Sequence, residues 1–254
     1  AYMREPWGVS EFYGISDPEY RGLQFIPDDK LTQILEAGFE NDVQFTTHSV
    51  GNGAVHAFID ACRSLSGRFN IREKRPVIGH SNFMTESAVQ QVAELGIPVD
   101  IQPAWLYLDG RTLEHHFGDE RLAWFQPLSA LFAAGAIAGG GSDHMQKLGS
   151  FRSINFYNPW MGMWVAMTRT ARWLEKPLHS EHALTREQAI RYYTVNTAYL
   201  FFAEDELGSL ERGKLADFIV LADDILTCPE DEIRQIEVER TYVGGKLVYQ
   251  RNRD

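Results

Sequence analysis

Residues 43–65 read VQFTTHSVGNGAVHAFIDACRSL and pass from a strand pattern to a helix pattern. The first five residues are rich in β-branched and aromatic side chains, which favour an extended conformation, and they end at His48. After two glycines, the apolar residues recur at the three- and four-residue spacing of an amphipathic helix. These residues are Val55, Phe58, Ile59 and Cys62. The stretch therefore predicts a strand, a histidine at its carboxyl end, and a helix.

The same strand-then-helix pattern recurs along the chain as far as Asp143. The predicted strands cover residues 43–47, 76–79, 97–102 and 136–141. Strands this apolar are typical of sheets buried on both faces, which indicates a parallel sheet with right-handed helical crossovers. About 30 residues per unit is the spacing of a (β/α)8 barrel, which typically takes about 250 residues for eight units. The pattern therefore predicts an α/β fold with four successive units of such a barrel.

The remainder of the sequence does not supply four further units. Residues 1–27 predict a loop, and a long excursion follows the third strand. Helical patterns cover residues 121–134, 160–173, 185–193 and 197–202, and strand patterns cover residues 216–222 and 238–249, the latter with a hairpin turn at Gly244-Gly245. Half a barrel leaves two open sheet edges, which is unfavourable for an isolated chain. We therefore expect an N-terminal part of the same protein to lie outside this sequence.

Composition restricts the partners of this chain. The formal net charge is −11 over 254 residues, and an acidic balance argues against nucleic acid or anionic lipid as the main partner. No run of about 18 apolar residues occurs, so no membrane span is predicted. Cys62 and Cys228 form no CxxC pair, which favours reduced thiols and a cytoplasmic protein. The aromatic content is compatible with a homo-oligomer.

Polar residues that carry metal chemistry follow three of the predicted strands. His48, His80 and Asp143 each come directly after a short apolar strand. The carboxyl ends of parallel barrel strands meet at one mouth, where catalytic groups converge. Imidazole nitrogens and a carboxylate suit Zn²⁺ or a similar divalent ion, which lowers the pKa of a bound water to about 7. We therefore expect a metal site in which Asp143 is both a ligand and the catalytic base.

Other polar and aromatic residues are weaker candidates. Gln102, Trp105 and His144 are expected to contact the substrate, with packing for Trp105 and a solvent-facing role for His144 as the alternatives. The histidines outside the strand ends are expected to be surface residues in polar loops: His115, His116, His179 and His182. An aromatic series could line a pocket after the fourth strand: Phe151, Phe156, Tyr157 and Trp160.

Five motifs in this sequence resemble those of the third amidohydrolase family of the amidohydrolase superfamily, closest to its N-substituted formamide deformylase-like enzymes. The segment around His48 is similar to the family's HAxGDxAV motif on the fifth strand, and Gly208–Leu221 is similar to its GSLEPGKLADFVVLD signature. The five segments are THSVGNGAV at 47–55, IGHS at 78–81, GSD at 141–143, GSLERGKLADFIVL at 208–221 and VGGKLVY at 243–249.

This resemblance implies a (β/α)8 TIM-barrel metal-dependent hydrolase. Residues 1–205 would be the C-terminal half of the barrel, with strands five to eight, and residues 206–254 would be part of a small β-sandwich domain. His48 and His80 would be metal ligands, and Asp143 would be the ligand and base. One or two Zn²⁺ ions are implied, with the remaining ligands, an HxH pair and a fourth-strand residue, coming from the N-terminal half.

The implied reaction is hydrolysis of a C–N bond, of amide or N-formyl type, in a small-molecule substrate. A deaminase or an esterase on the same metal site is an alternative, and so is a non-catalytic binding or assembly protein. Two positions depart from the family motifs. Asn52 stands where the family has Asp, and Gly79 stands where it has Glu before the sixth-strand histidine.

Overall fold

The fold is known from a computed structural model that describes residues 1–11, 14–144 and 154–252; Phe151 lies outside these ranges. The helices are α1 (Asp28–Glu40), α2 (Asn52–Leu65), α3 (Ile71–Lys74), α4 (Glu86–Leu95), α5 (Pro103–Phe117), α6 (Leu128–Ala133), α7 (Pro159–Thr168), α8 (Arg186–Tyr193) and α9 (Val195–Leu200). The strands are β1 (Thr46–Ser49), β2 (Val77–His80), β3 (Val99–Asp100), β4 (Ala138–Gly139), β5 (Phe218–Leu221), β6 (Val238–Val243) and β7 (Lys246–Gln250). Short 3₁₀ turns lie between some of these elements.

A four-stranded parallel sheet in the order β1-β2-β3-β4 organises the first part of the chain. The strands follow one another in sequence with helices between them, so the predicted α/β fold with a parallel sheet is confirmed. Helix α2 buries the face predicted from its spacing, with Val55, Ile59 and Cys62 fully buried. Strands β1, β3 and β4 are shorter than their sequence patterns, and β2 has the predicted length but begins and ends one residue later.

Helix α5 (Pro103–Phe117) lies where a long irregular segment was expected after the third strand. A proline at the first helical position starts a helix rather than ending a strand, because the amide hydrogen it lacks has no partner there in any case. The helix ends at Gly118, which has a positive φ of 77°. His115 and His116 therefore lie on the last turn of a helix and not in a polar loop.

The single helix expected over residues 121–134 is wrong. A 3₁₀ turn at Glu120–Leu122 and the shorter helix α6 (Leu128–Ala133) take its place. Pro127 stands immediately before α6, and its ring excludes an uninterrupted helix through that position. The break leaves the carbonyl groups of Phe125 and Gln126 without helical partners. The guanidinium of Arg169, fully buried at the end of α7, donates to both, each at 2.7 Å.

The C-terminal residues form a separate antiparallel sheet in the order β5-β6-β7. The predicted turn is present: Gly244 and Gly245 have φ values of 55° and 75°, the left-handed conformation that a two-residue hairpin requires. Every residue of β7 is exposed. Within the described ranges, no helix is long and apolar enough to cross a membrane.

Candidate metal centre

His48 and His80 stand side by side at the carboxyl ends of neighbouring strands. In the parallel register of β1 and β2, His48 pairs with Gly79, and Ser49 pairs with His80. Nε2 of His80 lies 2.7 Å from Nδ1 of His48, and the ring centroids are 4.6 Å apart. His80 has a φ of 71°, so the chain leaves the strand at this residue. The structure thus brings these two predicted site residues together.

Gly79 allows this close approach of the two strands. A Cβ atom at residue 79 would lie 2.7 Å from the carbonyl oxygen of Thr47 on β1. A rigid backbone carbonyl at that distance cannot give way without a shift of the strand. Any larger side chain at this position would therefore push β1 and β2 apart beside the two histidines. This contact is a local physical reason for glycine here.

Gln102 connects His80 to a carboxylate that the sequence patterns did not single out. Nδ1 of His80 lies 2.7 Å from Oε1 of Gln102. The amide nitrogen of Gln102 donates to Asp100 at two atoms, its carboxylate Oδ1 at 3.1 Å and its carbonyl oxygen at 3.3 Å. Burial raises the pKa of Asp100 because the charged form loses hydration. The available signal was a carboxylate inside an otherwise apolar strand run, Val99-Asp100-Ile101.

Asp143 follows β4 and is held by two neighbours. Its φ of 50° is left-handed. The indole nitrogen of Trp105, on the first turn of α5, donates to Oδ2 of Asp143 at 3.2 Å. The side-chain amide of buried Asn155 donates to the Asp143 carbonyl oxygen at 3.2 Å. The structure thus places Trp105 against the predicted base.

His144 is anchored by the same loop. Its Nδ1 donates to the carbonyl oxygen of Asn155 at 2.6 Å, and its ring meets the ring of Tyr157 with centroids 5.3 Å apart. His144 does not line the cavity that holds the other candidates. Its predicted contact with a substrate stays a prediction.

One cavity of about 390 Å³ is lined by residues at the strand ends. Its wall includes both histidines, Asp143 and Gln102, together with Asp100 and residues from β1 and α9. The lining residues are Thr46, Thr47, His48, Gly79, His80, Asp100, Gln102, Gly140, Gly141, Asp143, Thr197, Leu200 and Phe201. Four of the six predicted site residues therefore face one space, and Trp105 reaches it through Asp143.

The donors at this cavity are of the type that a divalent ion accepts. Two imidazole nitrogens and a carboxylate suit Zn²⁺. Among the described residues, however, no group of three or more His, Cys, Asp or Glu side chains is arranged to hold a metal.

The remaining histidine pair has structural contacts instead. His182 is buried, and its Nε2 donates to the carbonyl oxygen of Ala123 at 2.8 Å, so its predicted surface position is wrong. His179 lies between Asp119 and Glu181, with its Nδ1 3.0 Å from the Glu181 carboxylate. His182 is the last residue of the 3₁₀ turn at Ser180–His182, and His179 directly precedes this turn.

Comparison with known proteins places this chain in a family. The amidohydrolase family pattern matches residues 2–249. The N-substituted formamide deformylase of Arthrobacter pascens is 28% identical over 232 residues, covering 91% of this chain and 41% of that protein. A solved structure of an uncharacterized metal-dependent hydrolase from Pyrococcus furiosus has a TM-score of 0.69 at 24% identity, over 89% of this chain and 42% of that one.

A second uncharacterized metal-dependent hydrolase, from Pyrococcus horikoshii OT3, has a TM-score of 0.71 at 22% identity, over 91% of this chain and 43% of that one. At these identities the structural likeness shows a shared fold. The chain spans less than half the length of each of these three relatives. Because the family pattern extends over nearly every residue, the resemblance predicted from the motifs is confirmed, and this chain belongs to the amidohydrolase family.

Proposed function

We propose that this chain carries part of the active site of a metal-dependent hydrolase that cleaves a C–N bond of amide or N-formyl type in a small molecule. The observation that carries the proposal is the 2.7 Å contact between His48 and His80 at adjacent strand ends, in a cavity that Asp143 also lines. Family membership supports hydrolysis of C–N bonds in general. The formamide deformylase relative supports the N-formyl class.

His48, His80 and Asp143 would hold a divalent ion, Zn²⁺ by the chemistry of the donors, and the ion when bound supplies an activated water molecule. Asp143 would accept the proton of that water as the new C–O bond forms at the carbonyl carbon. Trp105 donates to Oδ2 of Asp143 and so holds the carboxylate in place, and each of its oxygens keeps a lone pair that can accept the proton. The same carboxyl group would return the proton to the leaving amine as the C–N bond breaks.

The proposed architecture is half of a (β/α)8 barrel over residues 1–205, with part of a small β-sandwich over residues 206–254. Four consecutive β/α units with the strand order β1-β2-β3-β4 support the first part, and the antiparallel sheet β5-β6-β7 supports the second. The rest of the ligand set would come from an N-terminal half of the same protein. That half is therefore the proposed partner of this chain.

One observation favours a second candidate function. Because the described residues contain no complete metal-holding group, a non-catalytic member of the family that binds or assembles is the competing function. A deaminase or an esterase would use the same residues, and only the substrate screen separates those reactions from amide hydrolysis. The volume of about 390 Å³ suits a small ligand in each case.

The test is metal content by elemental mass spectrometry on the full-length protein, combined with turnover of N-formyl amines, simple amides, esters and aminopurines. We expect one or two divalent ions per molecule, their loss in His48→Ala and His80→Ala, and loss of turnover with weaker metal binding in Asp143→Asn. His115→Ala, at the C-terminal end of α5, is the matched control and should keep both the bound metal and the turnover. A protein that takes up no metal after reconstitution would instead support the non-catalytic function.

A further inference from the structure

We propose that Gln102 is a positioning residue: held by Asp100, it fixes His80 as the tautomer that carries its proton on Nδ1. The inference rests on the proposed function, since it assigns to Gln102 the preparation of a metal ligand. It differs from the substrate contact predicted for Gln102 from the sequence. Both ends of this amide are already engaged inside the protein.

The orientation of the Gln102 amide follows from what surrounds it. Its nitrogen meets two acceptors of Asp100, the carboxylate at 3.1 Å and the carbonyl oxygen at 3.3 Å. The opposite orientation would place the amide oxygen against those same oxygens, with no proton between them. Asp100 therefore turns Oε1 of Gln102 toward His80, at 2.7 Å from Nδ1.

An amide oxygen only accepts hydrogen bonds, so Nδ1 of His80 must be the donor in this contact. The neutral ring then has an unprotonated Nε2, which faces His48 and the cavity. The position of Gln102 is itself fixed, because the side-chain amide of fully buried Gln126 donates to the Gln102 carbonyl oxygen at 3.0 Å. A histidine prepared in this way presents a lone pair without a preceding proton shift.

Among the described residues, no second group fixes the tautomer of His48 in this way, and the two histidines are therefore expected to behave differently. With Nε2 of His80 unprotonated, Nδ1 of His48 must carry the proton that joins them at 2.7 Å. For Nδ1 of His48 to serve as a metal ligand, the proton of this ring would have to lie on Nε2. His80 keeps its tautomer throughout.

The experiment is long-range ¹⁵N–¹H correlation of ¹⁵N-histidine-labelled full-length protein at about pH 8, above the ordinary imidazole pKa of about 6.5. Spectra are recorded without metal and after addition of Zn²⁺, and His80 is assigned with His80→Asn. We expect the Nδ1-protonated pattern for His80 in both states, and a change of tautomer for His48 on adding Zn²⁺. Gln102→Leu, which removes the accepting oxygen, should lose the fixed pattern.

Asp100→Asn tests whether Asp100 orients the Gln102 amide. An asparagine amide at residue 100 permits both orientations of Gln102 and should give a mixture of His80 tautomers. Asp109→Asn, a partly buried aspartate of α5 outside this cavity, is the matched control and should leave the spectrum unchanged. Zn²⁺ titration should show about 10- to 100-fold weaker binding in Gln102→Leu.

An Nε2-protonated His80 in the metal-free wild type, or an unaltered pattern in both Gln102→Leu and Asp100→Asn, would overturn the proposal. The tautomer is read without metal or substrate. Absence of Zn²⁺ binding would therefore count against the hydrolase function, while the fixed His80 tautomer would still be measured.

Discussion

At the scale of single residues, Gly79 controls how closely the two histidine-bearing strands approach. Gly79→Ala places a methyl group 2.7 Å from the Thr47 carbonyl oxygen, and overpacking of this kind costs about 1–3 kcal/mol. We expect the midpoint of thermal unfolding to fall by roughly 2–4 °C for each kcal/mol. We also expect weaker Zn²⁺ binding, because separated strands carry His48 and His80 apart.

Differential scanning fluorimetry and metal titration of the same variant measure both effects. Gly67→Ala is the control, since a Cβ atom there meets nothing within 4 Å, and its melting temperature should match that of the wild type. If Gly79→Ala melted and bound metal like Gly67→Ala, the strand contact would not govern the site.

The convergence of His48, His80 and Asp143 could be predicted from the sequence because each follows a short apolar run, and strand ends in a parallel sheet share one edge. Asp100 could not be predicted in the same way. Its importance depends on its burial and on the contact by which Gln102 joins it to His80 of the neighbouring strand, and both arise only when β3 lies between β2 and β4. Pairwise contacts across strands have no periodic signature in the sequence.

At the scale of secondary structure elements, the alternation of strands and helices was predictable and their limits were not. Helix α5 (Pro103–Phe117) was missed because Pro103 both ends a strand pattern and occupies a favourable first helical position. The break before α6 was missed although Pro127 marks it. The apolar residues on both sides of Pro127 have helical spacing, and this spacing favoured the prediction of one continuous helix. In the structure, buried Arg169 supplies the hydrogen bonds that such a helix would have made.

An ion pair links the entry of β2 to the end of α9. Arg75 pairs with Glu204 through both guanidinium ends, one at 2.9 Å, and stacks over the ring of Tyr199 at 3.7 Å. The hydrogen bond from Arg75 lowers the pKa of Glu204 below its ordinary 4.5. Its stabilising contribution is therefore full above about pH 4.5 and is lost as the pH falls through the lower folded-state pKa.

We expect Glu204→Gln to destabilise the protein by about 1 kcal/mol at neutral pH and to differ progressively less from wild type as the pH approaches 3. Urea unfolding at a series of pH values measures this difference. Glu94→Gln removes an exposed pair with Arg63 and should have little effect at any pH. An equal loss of stability for Glu204→Gln at pH 3 and pH 7 would show that shape, not charge, is what this contact contributes.

At the scale of the whole molecule, apolar surface is concentrated on the C-terminal sheet and the helices beside it. Leu210 is 78% exposed and Val248 is 60% exposed. A largely apolar groove of about 940 Å³ runs between α8, α9 and strands β5 and β6. Within the described residues, β7 pairs only with β6, so one edge of this sheet is open. Such an edge, flanked by apolar side chains, invites association with another chain.

We therefore expect residues 1–254, produced alone, to self-associate, with a light-scattering mass at least twice 28.9 kDa and strong binding of a hydrophobic dye. Leu210→Lys and Val248→Lys should shift the mass toward the monomer. Val9→Lys, which charges an equally exposed valine in the N-terminal loop, should not. In a longer protein that covers this sheet with its own chain, the same two lysines should lower the melting temperature instead. If the unsubstituted chain were a monomer and bound no dye, the apolar face would be stable in water without a partner.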